Sequence, residues 1–307
     1  MKKNQNSLKK YIVADKYGDM SAEDYLKSVM KVSSRNRQRL FRSKNVFVNG
    51  RPVHSKQRIK GGDMVAIRQF ADDTYGVKPQ IGPVDVLYED DAVIVLNKPA
   101  GMLVHPAGQT DSFTLANFLA GYFQEKGQTI TIRPLHRLDR DTTGCVLFAK
   151  KPEYQTRLEA QLKANTMHRF YQAIVMGTGI MEVYPDGCIR ENIGKVPGMA
   201  NRRRVDTKGQ PAVTHFKLVE EMGPNTLLEL WLETGRTHQI RVHMDYVGHP
   251  VLGDKMYGTP SRLITRQALH ASGIQFQHPV TGQMVEVNAP MPADMQECME
   301  KLKSYWK

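Results

Sequence analysis

Cysteine is scarce in this chain. Its three residues, Cys145, Cys188 and Cys298, lie far apart and form no C-x-x-C pair. That argues against a disulfide framework or a cysteine zinc site and fits reduced thiols in a cytoplasm. Tryptophan is scarcer, with only Trp231 and Trp306. No apolar run approaches the roughly 18 residues that cross a bilayer. The basic start MKKNQNSLKKYIVAD lacks the hydrophobic region of a secretory signal. A basic amphipathic helix with an aromatic face, the usual partner of an anionic membrane, is also missing. A G-x-S-x-G elbow is absent, as are H-E-x-x-H and Cys/His finger spacings.

Basic charge, by contrast, is plentiful. The 307 residues carry a net charge of +12 with a pI near 9.5. Such an excess favours a polyanion, because each neutralised phosphate releases counterions. The charge is also uneven. Residues 31–60 hold ten Lys or Arg and no acid. Just before them, Ser21 and Asp24 have capping-box spacing, and Leu26, Val29 and Met30 share a helical face. A second helix is expected from Ser33 or Ser34, with Leu40 and Phe41 inward and Arg35, Arg37, Arg39 and Arg42 solvated. Lys44 follows it. VFVNGRPV reads as a hairpin, since Asn49-Gly50 suits a type I′ turn. Two short helices and a hairpin with a basic face resemble an S4-type RNA-binding module. The opening helix, SAEDYLKSV, lacks the Arg-Leu-Asp start common in that module.

Four segments are expected. Residues 1–14 are a basic tail, 15–72 the S4-like module, 73–84 a polar linker with Gly and Pro, and 85–307 a larger domain. In that domain, strands in hairpins and meanders alternate with a few helices. The pattern predicts an α+β fold with a mostly antiparallel sheet and a cleft. At its end, ADMQECMEKLKSYWK reads as an amphipathic helix docked on the core.

The chemical centre of the sequence is PLHRLDRDTTG, residues 134–144, running into the apolar stretch CVLFAK. Two acids, two arginines and a histidine against a buried strand admit several readings. The spacing of His136, Asp139, His238 and His243 matches no standard metal motif. Asp139 and Asp141 lie too near each other for a two-carboxylate glycosidase, which also wants sugar-stacking aromatics. An Asp paired with Arg at a turn is the plain structural alternative.

The stretch resembles the H-R-L-D-x-x-T-S-G signature of the RluA family of pseudouridine synthases. The likeness continues, in order, through NKPAGMLVHP, RFYQAIV, ANRRRVDTKGQPAVTHF, ETGRTHQIRVH, GHPVLGDKMYG and HPVTG, covering nearly all of residues 84–292. Thr143 stands where Ser is usual, and Arg169 where Lys is common. The resemblance implies Asp139 as catalytic nucleophile, Tyr171 as the active-site tyrosine and Arg241 as the partner of the aspartate. It implies that Arg137 helps hold the target nucleotide out of its helix, and that His136, Leu138, Arg236, His238 and Gln239 build the cleft. Arg202, Arg203 and Arg204 fit a mobile phosphate-contacting loop.

The implied reaction breaks the N1–C1′ bond of uridine, turns the uracil and rejoins it through C5. It oxidises nothing, so no redox cofactor, nucleotide or metal is expected. It does need an ionised carboxylate in a closed pocket, and a neighbouring guanidinium favours that form by roughly 1–3 pKa units. Arg241 is expected to clamp Asp139 bidentately, while Leu138, Val146 and Ile240 supply an apolar wall. The expected enzyme is a cytoplasmic monomer acting on RNA, ribosomal in the first place and transfer RNA as the alternative. A non-catalytic RNA-binding or ribosome-assembly factor on the same fold remains the competing reading.

Overall fold

The computed structural model describes residues 8–305 except 31, 33, 69–71 and 73, without the side chain of residue 35. The chain divides into two units, Met1–Asp72 and Asp73–Lys307.

The first unit comprises β1 (Leu8–Ile12), α1 (Ala22–Ser28), α2 (Ser34–Arg42), β2 (Val46–Val48), β3 (Arg51–Pro52) and β4 (Met64–Arg68), with sheet order β1-β4-β2-β3. Ser21 caps α1 by accepting from the Asp24 amide. Asn49 (φ 48°) and Gly50 (φ 80°) turn the hairpin with the positive angles that a type I′ turn requires. Leu26, Leu40, Val46, Ile59 and Val65 form the core, with Phe41 packed against it. Two expectations need correction. Residues 8–12, expected in a tail, pair with β4; the strand is mostly exposed, so it shows no apolar alternation to read. Arg37, expected in solvent, is only 12% exposed and pairs with Glu23 of α1 at 3.7 Å. Its Nη1 donates to the carbonyl of Val32 at 2.6 Å, so it ties α2 to the turn before it.

In the second unit, residues 74–84, expected as a linker, lie along the unit itself. Ile132 N–H donates to the Tyr75 carbonyl and Gln80 N–H to that of Asn117. The elements that follow are β5 (Val86–Glu89), β6 (Val93–Lys98), α3 (Leu115–Glu125), β7 (Thr143–Ala149), α4 (Pro152–Lys163), β8 (His168–Met176), α5 (Ile180–Val183), β9 (Cys188–Arg190), β10 (Ile193–Val196) and β11 (Met199–Val205). The chain continues through β12 (Val213–Met222), β13 (Asn225–Leu232), α6 (Gln239–Tyr246), β14 (Leu269–Gln277), β15 (Met284–Asn288) and α7 (Ala293–Tyr305). Nine strands form one sheet in the order β5-β6-β7-β14-β8-β13-β12-β9, with β15 on β14. Among the described residues, only β7 and β14 pair in parallel. The fold is therefore the mostly antiparallel α+β arrangement expected.

Strand β7 is buried along its whole length, which explains why TGCVLFA carries almost no polar residue. Alternate side chains feed two cores on opposite faces. Val146 and Phe148 join Leu115, Leu119 and Phe123 of α3 on one face. Cys145 and Leu147 join Leu158 of α4 and Phe276 on the other. Helix α7 adds Met295, Cys298 and Leu302 to the first core. The ANRRRVD segment, expected as a mobile loop, is the strand β11 of a hairpin with β10. Its Val205 and Ile193 pack with Ala212, Val242 and Tyr257.

The parallel contact demands a glycine. Gly144 has φ +108°, and a Cβ there would lie 2.1 Å from the Ala271 carbonyl oxygen. Gly144→Ala is expected to lose about 3 kcal/mol or more in urea unfolding, through strain and steric overlap together. A loss within error of zero would show that β7 and β14 separate without cost.

Candidate active site

The loop carrying Asp139 is built as a rigid edge of β7. Leu135 N–H donates to the Leu147 carbonyl at 2.9 Å. The next residue, His136, accepts the Leu147 N–H on Nε2 at 3.3 Å. A turn follows, closed by Thr142 N–H on the Asp139 carbonyl at 3.2 Å. Two buried cations hold its peptide groups. The fully buried Lys98 donates from Nζ to the carbonyls of Arg140, Met102 and Pro99 at 2.7–2.8 Å. Burial pushes the lysine down to about 7, opposed by the charges of Asp141 and Asp139; three carbonyl acceptors match the three N–H groups of an ammonium. Arg266 donates from Nη1 to the carbonyl of Asp141 and from Nε and Nη2 to Asp294 of α7.

Asp139 and Arg241 meet as expected. Arg241 Nη1 donates to Asp139 Oδ2 at 2.9 Å. The bidentate clamp, however, is elsewhere. Arg241 Nε and Nη2 grip both oxygens of Asp254, at 2.6 and 2.8 Å. The reason is placement: Asp254 follows α6 in a tight loop and faces the guanidinium fork edge-on, leaving only one arm for Asp139. Asp254 is 0% exposed and Asp139 23%. Burial alone would raise the Asp254 pKa. The bonds and charge of Arg241 and the amides of Met256 and Tyr257 bring it below its ordinary value instead. Burial likewise works against the charge on Arg241, and Asp254, then Asp139, raise its pKa. His238 starts α6 in a left-handed conformation with φ 59°. Its Nε2 lies 3.9 Å from Asp139 Oδ1, and its Nδ1 is 2.9 Å from the Tyr257 hydroxyl.

A small pocket of about 60 Å³ opens over this carboxylate, lined by Tyr171, Leu138, Leu232, Ile240 and Leu269. Val146, expected in that wall, points instead into the core beside α3; the strand's alternation gives it the inner face. Tyr171 is buried on β8, paired with Leu230, and burial raises its pKa. Arg137 is exposed at the rim, donating to Thr237 Oγ1 at 2.7 Å. Gln239 accepts from Thr234 and from the Arg236 amide while donating to Val213 and Thr214, so it braces the start of α6. Arg236 donates from Nε to the Pro211 carbonyl. His136 stays neutral, its pKa pushed down to about 3 by burial and by Arg169.

The pocket adjoins a cleft of about 1460 Å³, larger than the 300–1,000 Å³ of small-molecule sites. Arg137, Arg140, Arg202, Arg203, Lys255 and Arg266 contribute to its lining. Arg204 turns aside to pair with Asp206 at 3.2 Å. Sequence reasoning assigned no role to Lys98, Asp254, Tyr257 or Arg266. The first three lie inside quoted motifs, where an unassigned acid beside a needed arginine was the available signal. Among the described residues, no cluster of three or more His, Cys, Asp or Glu could hold a metal, and no helix is long and apolar enough to cross a membrane.

Comparison with known proteins agrees with this geometry. A family described as RNA pseudouridylate synthase matches residues 92–246. The uncharacterized RNA pseudouridine synthase YhcT of Bacillus subtilis is 41% identical over 88% of this chain and 89% of its own. The ribosomal large subunit pseudouridine synthase D of Haemophilus ducreyi is 35% identical over 92% and 88%. Its counterpart in Escherichia coli K12 is 36% identical over 84% and 83%. In fold, the human RNA pseudouridylate synthase domain containing 1 superposes with a TM-score of 0.57 at 24% identity, covering 71% of this chain and 89% of that one. With the family's motifs converging on one pocket and its members alike over most of the length, the chain belongs to the RluA family of RNA pseudouridine synthases and is an isomerase.

Proposed function

We propose that this enzyme converts specific uridines of large-subunit ribosomal RNA to pseudouridine, with Asp139 as nucleophile on a flipped-out nucleoside. The observation that carries the reading is the Asp139 carboxylate, held on one oxygen by Arg241 at 2.9 Å beneath a small pocket whose wall combines Leu138, Leu232, Ile240 and Leu269 with Arg137, Arg236 and His238. The ribosomal substrate is inferred from relatives named for the large subunit.

The chemistry follows from the parts. An extruded uridine costs a few kcal/mol in lost stacking and pairing, least where it is already unpaired. Arg137 at the rim is placed to hold the opened strand. Tyr171 offers a ring for the base. Once the N1–C1′ bond is broken, Leu138, Leu232, Ile240 and Leu269 keep the detached uracil from water while it turns. Rejoining through C5 returns a proton from C5 to solvent, directly or through Tyr171 and water, and N1 gains one. The cleft's arginines and lysine neutralise backbone phosphates. The first unit serves as an S4-like RNA anchor, presenting Arg39, Arg42 and Lys44 on an exposed face.

Three outcomes are expected. In a strain lacking the gene, pseudouridine mapping of total RNA should show specific large-subunit positions reverting to uridine. Wild-type protein should restore them, and Asp139→Asn should not while still binding RNA; near-normal turnover by that variant would remove Asp139 as nucleophile. Asp254→Asn breaks a buried pair and is expected to cost about 3–5 kcal/mol in urea unfolding. Because the folded-state pKa of Asp254 is lowered, its contribution is present above the unfolded carboxylate pKa and lost as pH falls through the folded value. The variant should therefore flatten the acid limb of stability against pH. Changing Arg39, Arg42 and Lys44 together to Ala should weaken RNA binding and reduce the salt slope by about 3. An unchanged slope would mean the first unit does not anchor RNA.

A further inference from the structure

Tyr257 is buried, and two guanidinium groups approach its ring, Arg241 at 5.1 Å and Arg202 at 5.7 Å from the centroid. Its hydroxyl has two close partners. The backbone N–H of Arg203, in the hairpin strand β11, donates to the phenol oxygen at 2.8 Å. The second partner is His238 Nδ1 at 2.9 Å. The Arg203 amide can only donate, so among the described residues the phenol proton has a single acceptor, His238 Nδ1. A histidine that accepts on Nδ1 carries its own proton on Nε2. That nitrogen is the one facing Asp139 Oδ1, 3.9 Å away.

We propose that Tyr257 is a positioning residue that fixes His238 in the Nε2–H tautomer, so that the histidine presents a donor to the second oxygen of the Asp139 carboxylate. Arg241 already donates to Oδ2. With His238 aimed at Oδ1, the carboxylate is steered from both sides by one donor each, and lone pairs remain for attack. The 3.9 Å gap closes as the loaded site tightens, a common feature of catalytic contacts. The same phenol also hydrogen-bonds the arginine hairpin to the carboxylate's surroundings, so the phosphate-gripping strand and His238 share one relay. This inference rests on Asp139 as nucleophile only for its kinetic consequence; the tautomer is a property of the unliganded protein.

The test has a spectroscopic and a kinetic arm. Long-range 1H–15N spectra of histidine-labelled protein, with His238 assigned through His238→Gln, should show Nε2 protonated and Nδ1 bare in the wild type and in Asp139→Asn. Tyr257→Phe keeps the ring and both cation contacts and removes only the hydroxyl. It should shift His238 away from the pure Nε2–H form and slow single-turnover pseudouridine formation at saturating RNA by about tenfold or more. His238→Gln places an amide N–H at the Nε2 position without needing Tyr257. In that background Tyr257→Phe should cost little further rate, which a merely structural role for the hydroxyl does not foresee. A wild-type His238 protonated on Nδ1, or a Tyr257→Phe enzyme at wild-type rate, overturns the proposal. So does an undiminished loss in the His238→Gln background. If instead Asp139→Asn turns over normally while the tautomer is as described, the nucleophile assignment falls and the tautomer stands.

Discussion

One guanidinium organises this site. Arg241 is buried and spends two of its arms on Asp254 and one on Asp139. An arginine can do this because its donors diverge in a fixed plane; a lysine ammonium is a point charge without that geometry. The two acids divide the work. Asp254, wholly buried, secures the cation's charge and its angle. Asp139, still touched by solvent, receives a donor whose direction is already set. Removing water from a lone arginine at this depth would cost several kcal/mol, and the Asp254 pair offsets that cost.

The acid's own loop is fixed by a related device applied to backbone. Lys98 and Arg266 approach the turn and donate to the carbonyls of Arg140 and Asp141. Neither cation bonds the Asp139 carboxylate itself. Arg266 also reaches Asp294 in α7, so the last helix of the chain helps hold a turn more than a hundred residues earlier. Gly144 brings β7 against β14 at the same end of the sheet. Positional precision at Asp139 is thus distributed over β6, β7, β14 and α7.

Much of this was legible in the sequence, and the rest was not for identifiable reasons. Caps and turns were readable because they are local: Ser21 with Asp24 and the Asn49-Gly50 pair act within a few residues. The juxtaposition of residues 139, 171 and 241 came from family motifs, since no local rule brings positions a hundred residues apart together. The sharing of Arg241 was hidden because which carboxylate meets the fork depends on loop geometry after α6. Lys98 was given no role and is fully buried; only the fold shows three carbonyls converging on it. Arg37 misled for the mirror reason, as a helical arginine in a basic run that a neighbouring Glu23 and the Val32 carbonyl draw inward. Strand β1 and hairpin β10–β11 were missed because exposed strands rich in Lys and Arg lack alternation.

Three aspartates crowd this region, and their hydrogen bonding separates them. Asp254 accepts four hydrogen bonds, three on Oδ1 from Arg241 Nη2 and the amides of Met256 and Tyr257 and one on Oδ2 from Arg241 Nε. Such a group is well stabilised as an anion and poorly disposed to attack. Asp141 gives its carbonyl to Arg266 but lines the wide cleft and not the small pocket. Asp139 alone lines the pocket, with one firm donor on one oxygen and the other oxygen uncommitted within hydrogen-bonding distance. A nucleophile must be ionised yet incompletely satisfied, because each strong hydrogen bond lowers the energy of the pair it has to donate. Arg241 engages only one oxygen of Asp139, and the deeper pairing with Asp254 is what limits it to one.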